Sequence, residues 1–115
     1  MGDPGCLFCR IAQRAVPADI VGEDDALVAF KDINPQAPTH VLVIPREHVA
    51  SIAEATERHT QMLGRMIQFA NRLARQYQLS AGYRLVLNCG AQAGQSVWHI
   101  HLHLLGGRAL QWPPG

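Results

Sequence analysis

The sequence contains one strictly alternating stretch, Trp98-His99-Ile100-His101-Leu102-His103-Leu104. Side chains along a β-strand point to opposite faces in turn, so the three histidines share one face and the aliphatic residues share the other. Successive residues on one face lie about 6.5–7 Å apart, so the imidazoles can surround one small group such as a phosphate. A polar face exposed to water is the alternative, although Thr, Lys or Glu more commonly build one. We therefore predict a strand over residues 97–105 with a chemically active histidine face.

Outward from this strand, the apolar pattern predicts an α+β domain. A stripe at spacings of three and four predicts a long helix over residues 56–79 and consists of Met62, Met66, Ala70, Leu73 and Tyr77. A short helix is expected over residues 7–14, and further strands over residues 19–21, 26–30, 40–44 and 83–88. Ser51 and Glu54 form a candidate capping box. The strands come in hairpin-like groups, which predicts a five-stranded antiparallel sheet whose last strand has one face under a helix and one face open.

Composition indicates one domain spanning residues 1–115, with residues 1–5 and 108–115 as flexible or extended tails. The chain carries 10 Lys+Arg against 9 Asp+Glu, a formal charge of +1. This balance argues against a surface for sequence-specific nucleic-acid binding and against a basic membrane anchor. No apolar run approaches the roughly 20 residues of a membrane span, and the first residues do not resemble a signal peptide. We therefore expect a cytoplasmic protein whose 3 cysteines form no disulfides.

Two kinds of chemistry suit the histidine strand. Two histidines at i and i+2 can bind one zinc ion with a third ligand from elsewhere. Alternatively, a neutral imidazole can attack phosphorus and form a covalent intermediate that water then cleaves. The preceding Gly94-Gln95-Ser96 loop favours phosphate chemistry, because backbone N–H groups and a hydroxyl suit an anion. A metal site would more often bring carboxylates, and the sequence has none between Asp32 and Glu47 or after Glu57.

These residues resemble the histidine triad (HIT) family of nucleotide hydrolases and transferases. The resemblance rests on His99-x-His101-x-His103-Leu104-Leu105, on Gly94-Gln95-Ser96-Val97-Trp98 and on Asp32-Ile33-Asn34-Pro35-Gln36-Ala37-Pro38-Thr39-His40. The C-terminal Leu105-Gly106-Gly107-Arg108 and Trp112-Pro113-Pro114-Gly115 resemble the Hint branch of that family. The resemblance implies a HIT-like fold and a homodimer in which the two sheets join into one. It also implies that the C-terminal tail lies near the active site of the dimer.

The resemblance implies a purine nucleoside phosphoramidase. Such an enzyme cleaves the P–N bond of adenosine or guanosine 5′-phosphoramidates, including aminoacyl-adenylate types, through a nucleotidyl-histidine. It needs no cofactor for catalysis and releases AMP or GMP. The implied catalytic residues are His101 as nucleophile, His103 at the phosphate oxygens, Ser96 near the leaving amine and His99 as an orienting group, with His40 in support. The implied nucleotide contacts are Asp32 at the ribose, Ile33 at the base, and Asn88, Gly94, Gln95, Ser96, His101 and His103 around the ribose and phosphate.

A second motif, Cys6-Leu7-Phe8-Cys9, lies at the start of the first predicted helix. A redox function would need a preceding strand in a βαβ unit, and none is predicted. Two thiols packed as small apolar residues are an alternative to a metal site. Some HIT proteins combine such a motif with two histidines, and this resemblance implies a closed structural zinc site of Cys6, Cys9, His48 and His99. We expect His59 to be solvated and Cys89 to lie in a strand near the nucleotide.

Two alternative functions remain open at this point. The first is a dinucleoside polyphosphate hydrolase of the same superfamily, which the Trp-Pro-Pro-Gly ending disfavours. A nucleotidylyltransferase fits less well, because that branch has glutamine where this chain has His103. The second is a nucleotide-binding or partner-binding module with vestigial activity, against which the intact nucleophile and loop argue.

Overall fold

Five strands form one antiparallel sheet in the computed structural model, which describes residues 2–115. In chain order, the strands are β1, Ile20–Glu23; β2, Leu27–Lys31; β3, Thr39–Pro45; β4, Tyr83–Val86; and β5, Leu102–Gly106. Their order across the sheet is β1-β2-β3-β5-β4, so β1 and β4 are the edges. The helices are α1, Leu7–Ala12, and α2, Thr60–Gln76. The predicted α+β fold class is therefore confirmed.

Each face of the sheet carries an apolar core. The helix α2 covers one face, where Met66, Ala70 and Leu73 are buried against Leu102 and Leu104 of β5, as the periodicity predicts. The short helix α1 packs on the opposite face. The expectation that this second face of β5 is open was therefore wrong, because α1 partly covers the histidines.

The strand predicted over residues 97–105 begins only at Leu102. Its pairing with β3 ends at Leu102 and Val43, two residues short of Ile100, which would face Pro45 in the same register. Proline has no N–H to donate to a ladder, and the Pro45 carbonyl accepts from the His99 ring instead, at 2.7 Å. The Ile100 N–H correspondingly donates to Val49 O at 2.8 Å. The alternation nevertheless persists, since Ile100 lies in the core under α2 with the leucines of β5.

The start of the long helix also differs from the prediction. A 3₁₀ turn, Glu57–His59, precedes α2. The capping box was predicted for a separate single turn, Ile52–Glu54, where Ser51 makes no side-chain cap. The Thr56 N–H instead donates to His59 Nδ1 at 2.9 Å, and His59 Nε2 lies 3.2 Å from a carboxylate oxygen of Glu47. His59 is only 5% exposed, so the expectation that it is solvated was wrong.

Within residues 2–115, both terminal segments make hydrogen bonds. The Cys6 N–H donates to Asp3 O at 2.9 Å, which closes a turn before α1; Met1 lies outside the described residues. At the other end, Arg84 Nη2 donates to Gln111 O at 2.7 Å. Within residues 2–115, none of the helices has the length and apolar character needed to cross a membrane.

Candidate active site

The histidine face borders a cavity of about 300 Å³ between the sheet and α1. His103 lines the cavity from β5, and His101 lines it from just before that strand. Asp32 and Ile33 line it from just after β2. Gly94 and Ser96 line it from the loop that precedes the histidines. Apart from Lys31, the rest of the wall is apolar and consists of Leu7, Phe8, Ile11, Phe30, Leu42 and Val97. Sequence reasoning missed this wall, because apolar residues at helix and strand spacing read as ordinary core. Ile33 is fully exposed on the rim.

The hydrogen bonds of His101 define its tautomer. Its Nδ1 lies 2.8 Å from His99 O. A carbonyl oxygen only accepts, so Nδ1 carries a hydrogen, and in the neutral tautomer the free lone pair is on Nε2. The ring is 7% exposed and stands edge-on to Phe8, with 5.1 Å between centroids. The backbone carbonyl thus holds the protonated Nδ1 and leaves Nε2 as the nitrogen with a free lone pair in the neutral ring.

His103 has the opposite arrangement. The Gln36 N–H donates to His40 Nδ1 at 3.0 Å, so the hydrogen of His40 lies on Nε2. That nitrogen is 2.9 Å from His103 Nδ1, which must therefore accept. The hydrogen of His103 is consequently on Nε2, which is buried and has no partner among residues 2–115. A buried donor without a partner is costly, so this N–H is poised for a ligand.

Asp32, His40 and His103 place one ligand atom each within 4.8 Å of the others, the spacing of a metal site. Hydrogen bonding argues against a metal, because the His40 nitrogen concerned carries a hydrogen. Burial lowers the pKa of His103 to about 4, His101 and His40 act in the same direction, and Asp32 opposes them. Burial also lowers the pKa of His40, again against Asp32. The pair is therefore a neutral hydrogen-bonded relay near pH 7.

The loop before the triad is held by Gln95. Its side chain is buried, and its Oε1 accepts from the Gly90 N–H at 2.9 Å while its Nε2 donates to Ala50 O at 2.8 Å and Val97 O at 3.1 Å. These bonds occupy the side-chain amide, which leaves only the backbone of Gln95 to meet a ligand.

The neighbours of Gln95 differ in their access to the cavity. Gly94 adopts a left-handed conformation, with φ of +100°, which favours glycine. Ser96 is exposed beside the cavity, whereas Asn88 is half-buried behind Gly94. Cys89 is exposed in the loop after β4, so the expectation that it is a strand residue was wrong.

Cys6, Cys9, His48 and His99 converge beside α1, with one ligand atom each within 4.8 Å of the others. His99 Nδ1 lies 3.4 Å from Cys6 Sγ and 3.5 Å from Cys9 Sγ, and His48 Nδ1 lies 3.3 Å from Cys9 Sγ. Zinc bonds of about 2.3 Å to sulfur and 2.0–2.1 Å to nitrogen put tetrahedral ligands about 3.6 Å apart. The donor set therefore fits a zinc ion.

His99 was predicted both to orient the site and to bind zinc. Its side chain belongs to the cysteine cluster, where Nε2–H donates to Pro45 O and leaves Nδ1 facing the thiols. Burial lowers its pKa to about 4 and raises the pKa of the Cys9 thiol. Its carbonyl oxygen holds His101. The ring and the carbonyl oxygen of His99 thus make separate contacts, so the two predicted roles would not compete.

Comparison with known proteins agrees with this arrangement. The chain matches the family model of the HIT domain over residues 13–110. A 14 kDa zinc-binding protein of Zea mays is 46% identical over 117 residues, covering 100% of this chain and 91% of that protein. The adenylylsulfatase HINT1 of Arabidopsis thaliana is 45% identical over 115 residues, covering 98% of this chain and 78% of that protein. The crystal structure of a HIT family hydrolase from Legionella pneumophila Philadelphia 1 has a TM-score of 0.95 at 50% identity, covering 96% of this chain and 100% of the other. The chain therefore belongs to the HIT superfamily, in its Hint branch.

Proposed function

We propose that this HIT family protein is a hydrolase that cleaves the P–N bond of purine nucleoside 5′-phosphoramidates. The observation that carries the proposal is the pairing of two complementary ring nitrogens at one cavity. His101 offers an unprotonated Nε2 and His103 offers an N–H, with ring centroids 5.1 Å apart. A phosphoryl group needs a nucleophile at phosphorus and a donor at its oxygens.

The reaction proceeds in two displacements. His101 Nε2 attacks phosphorus, the P–N bond breaks, and the amine leaves beside Ser96 with the bonding electrons and takes up a proton from solvent. Water then attacks the nucleotidyl-histidine and loses a proton to solvent, the bond between phosphorus and Nε2 breaks with its electron pair returning to Nε2, and the nucleoside monophosphate leaves. Positive charge that develops on the His101 ring is stabilised by the Nδ1–H bond to His99 O. The His103 N–H stabilises the negative charge on the phosphoryl oxygens throughout.

The cavity has a polar region and an apolar region, as a nucleoside monophosphate requires. The phosphate lies at the histidines and the loop of Gly94 and Ser96, while the apolar wall around Phe8 and Phe30 receives the planar base. Asp32 lies between these two regions, where a carboxylate can accept hydrogen bonds from ribose hydroxyls. Ile33 closes over the base from its exposed position on the rim.

The decisive experiment compares His101→Ala with a matched control, His59→Asn. His59 is a buried histidine outside the cavity, and Asn retains an acceptor for the Thr56 N–H. On an adenosine 5′-phosphoramidate, we expect His101→Ala to lose at least about 10³-fold in kcat while AMP still binds by calorimetry. The control should keep its activity. Activity of His101→Ala close to that of the wild type would refute the assignment.

A substrate panel separates the related activities. The Arabidopsis relative is named an adenylylsulfatase, and attack on the phosphorus of adenylylsulfate would use the same two histidines while breaking a P–O bond. The panel therefore contains an adenosine phosphoramidate, adenylylsulfate and diadenosine polyphosphates. We expect the highest kcat/KM for the phosphoramidate. Faster cleavage of adenylylsulfate or of a polyphosphate would replace the proposed substrate class, and AMP binding without turnover would indicate a binding module.

The cysteine cluster is proposed to hold a structural zinc ion. The four ligands would join α1 to the β3 end and to the residues before β5, and the ion would supply stability rather than chemistry because the ligand set is closed. The zinc-binding relative from Zea mays supports this proposal. Metal analysis of freshly purified protein should find close to one zinc per chain, and Cys9→Ser should lose it. Less than a tenth of an equivalent in the wild type would contradict the site.

A homodimer is proposed through the unpaired edge of β4. Exposed apolar side chains lie on this side, with Tyr83 of β4 41% exposed and Ile67 of α2 45% exposed. An open edge strand offers hydrogen-bonding groups to a second copy, which would extend the sheet. Light scattering at micromolar concentration should give twice the chain mass, and a species of 12.6 kDa would contradict the dimer.

A further inference from the structure

A chain of hydrogen bonds links the C-terminal segment to the triad. Arg108 donates twice to Gln36 O, from Nε at 3.1 Å and from Nη2 at 2.9 Å. Its remaining terminal nitrogen, Nη1, donates to Ala109 O at 3.0 Å. One carbonyl oxygen of the loop between β2 and β3 therefore receives two charged donors, which are stronger than neutral ones.

The loop between β2 and β3, to which Arg108 donates these hydrogen bonds, also defines the His40 tautomer. The N–H of Gln36 donates to His40 Nδ1, and His40 Nε2 in turn faces His103 Nδ1. If Gln36 turned away, His40 Nδ1 would lose its donor, and the ring could place its hydrogen on either nitrogen. His103 would then no longer be obliged to keep its hydrogen on Nε2, the atom that faces the proposed phosphate.

The loop makes internal hydrogen bonds, from the Asn34 N–H to Asp32 Oδ1 at 2.8 Å and from Gln36 Nε2 to Asn34 O at 3.0 Å. The contact to Gln36 O comes from outside the loop, from Arg108. Gln36 is exposed between Pro35 and Pro38, neither of which has an N–H to donate to neighbouring segments. Gly107 has φ of +91°, and a Cβ added there would lie 2.9 Å from Pro38 Cβ. This tight turn after β5 brings the next residue, Arg108, back over the loop.

We propose that Arg108 is a positioning residue for His103, acting through the backbone of Gln36 and the ring of His40. The proposal rests on the function given above, because it assigns His103 the task of donating a hydrogen bond to the phosphoryl oxygens. Arg108 does not contact the substrate. It holds the loop so that the relay keeps the His103 hydrogen directed into the cavity.

The test uses two variants of Arg108 and one matched control. Arg108→Ala removes both donors to Gln36 O, and Arg108→Lys keeps one positive donor. Arg84→Ala is the control. Arg84 also donates a hydrogen bond to the C-terminal segment, at Gln111 O, but it makes none to the loop between β2 and β3. Both side chains are at least partly exposed, so thermal melting should show folded proteins for all three variants.

The first readout is independent of activity. Two-bond ¹⁵N–¹H correlation spectra of labelled protein distinguish which ring nitrogen of a histidine carries the hydrogen. We expect His103 to carry it on Nε2 in the wild type and in Arg84→Ala, to show a mixture in Arg108→Ala, and to be partly restored in Arg108→Lys. An unchanged His103 pattern in Arg108→Ala would overturn the proposal.

The second readout is the split between kcat and KM on the phosphoramidate. The His103 N–H matters most as negative charge develops on the phosphoryl oxygens in the transition state. We therefore expect Arg108→Ala to lose roughly 10- to 100-fold in kcat with a smaller change in KM. A kcat within roughly twofold of Arg84→Ala would also overturn the proposal. A wild-type protein without turnover would instead refute the proposed function, and the spectra alone would then decide the role of Arg108.

Discussion

Replacing Phe8 tests how α1 is held on the sheet and how it builds the cavity. The side chain is 5% exposed and packs edge-on against three rings: Phe30 at 5.4 Å, His101 at 5.1 Å and His99 at 6.1 Å between centroids. The helix has only 6 residues, far fewer than the roughly 12–15 that make an isolated helix marginally stable in water. Its conformation therefore depends on this packing.

The magnitude follows from the buried ring. Truncating a buried phenylalanine to alanine typically costs about 3–5 kcal/mol, and aromatic edge contacts contribute about 0.5–1.5 kcal/mol of this. We therefore expect Phe8→Ala to lose about 3–5 kcal/mol in the free energy of unfolding. Phe8→Leu keeps most of the apolar volume, so its loss should be about 1–2 kcal/mol. Leu7→Ala is the control, since Leu7 is 43% exposed on the same helix and should lose less than about 1 kcal/mol.

Urea unfolding followed by far-UV circular dichroism measures these differences, and calorimetry with AMP measures the effect on the cavity. If α1 detaches before the sheet unfolds, the amides of residues 7–12 will lose hydrogen-exchange protection first. Because Phe8 lines the cavity from α1, AMP affinity should fall more with Phe8→Ala than with Phe8→Leu. A loss below about 1 kcal/mol for Phe8→Ala, with protected α1 amides, would refute the reasoning that this ring anchors the helix.

Further predictions concern pH and two glycines. Because the pKa of His103 is lowered to about 4 in the folded protein and lies near 6.5 when unfolded, the unfolded chain binds more protons between these values. The free energy of unfolding should therefore fall as the pH drops from 6.5 to 4, and His103 should contribute on the order of 2 kcal/mol to this fall after allowing for solvent screening. In urea titrations, His103→Asn should remove this contribution and leave that of His99, whose pKa is also lowered to about 4. Gly106→Ala should cost about 1–3 kcal/mol, because an added Cβ would lie 2.7 and 2.9 Å from the two Cδ atoms of Leu79. Gly64 lies in α2 with open space around an added Cβ. Gly64→Ala should therefore stabilise the protein by about 0.5–1 kcal/mol. If thermal melts showed the same change in stability for Gly64→Ala and Gly106→Ala, the packing argument would be contradicted.

The sequence alone determined the fold class and the grouping of the triad. Both depend on local periodicity, because alternation along residues 98–104 puts His101 and His103 on one face whatever their neighbours are, and the spacing of Met66, Ala70 and Leu73 requires a helix with one apolar side. Where strands begin and end was less predictable. The strand β5 starts late because its neighbour β3 reaches Pro45, a residue that is far from it in sequence.

Only the tertiary structure decided what each histidine does. His40 and His103 are 63 residues apart, and Cys9 and His99 are 90 apart. A ring's tautomer is defined by the donors and acceptors that folding brings to its two nitrogens, and here these are mostly backbone groups such as His99 O and the Gln36 N–H. Every residue except proline has the same backbone groups, so no sequence pattern marks which of them will meet an imidazole. The assignment of an acceptor nitrogen to His101 and a donor nitrogen to His103 therefore emerged only with the folded chain.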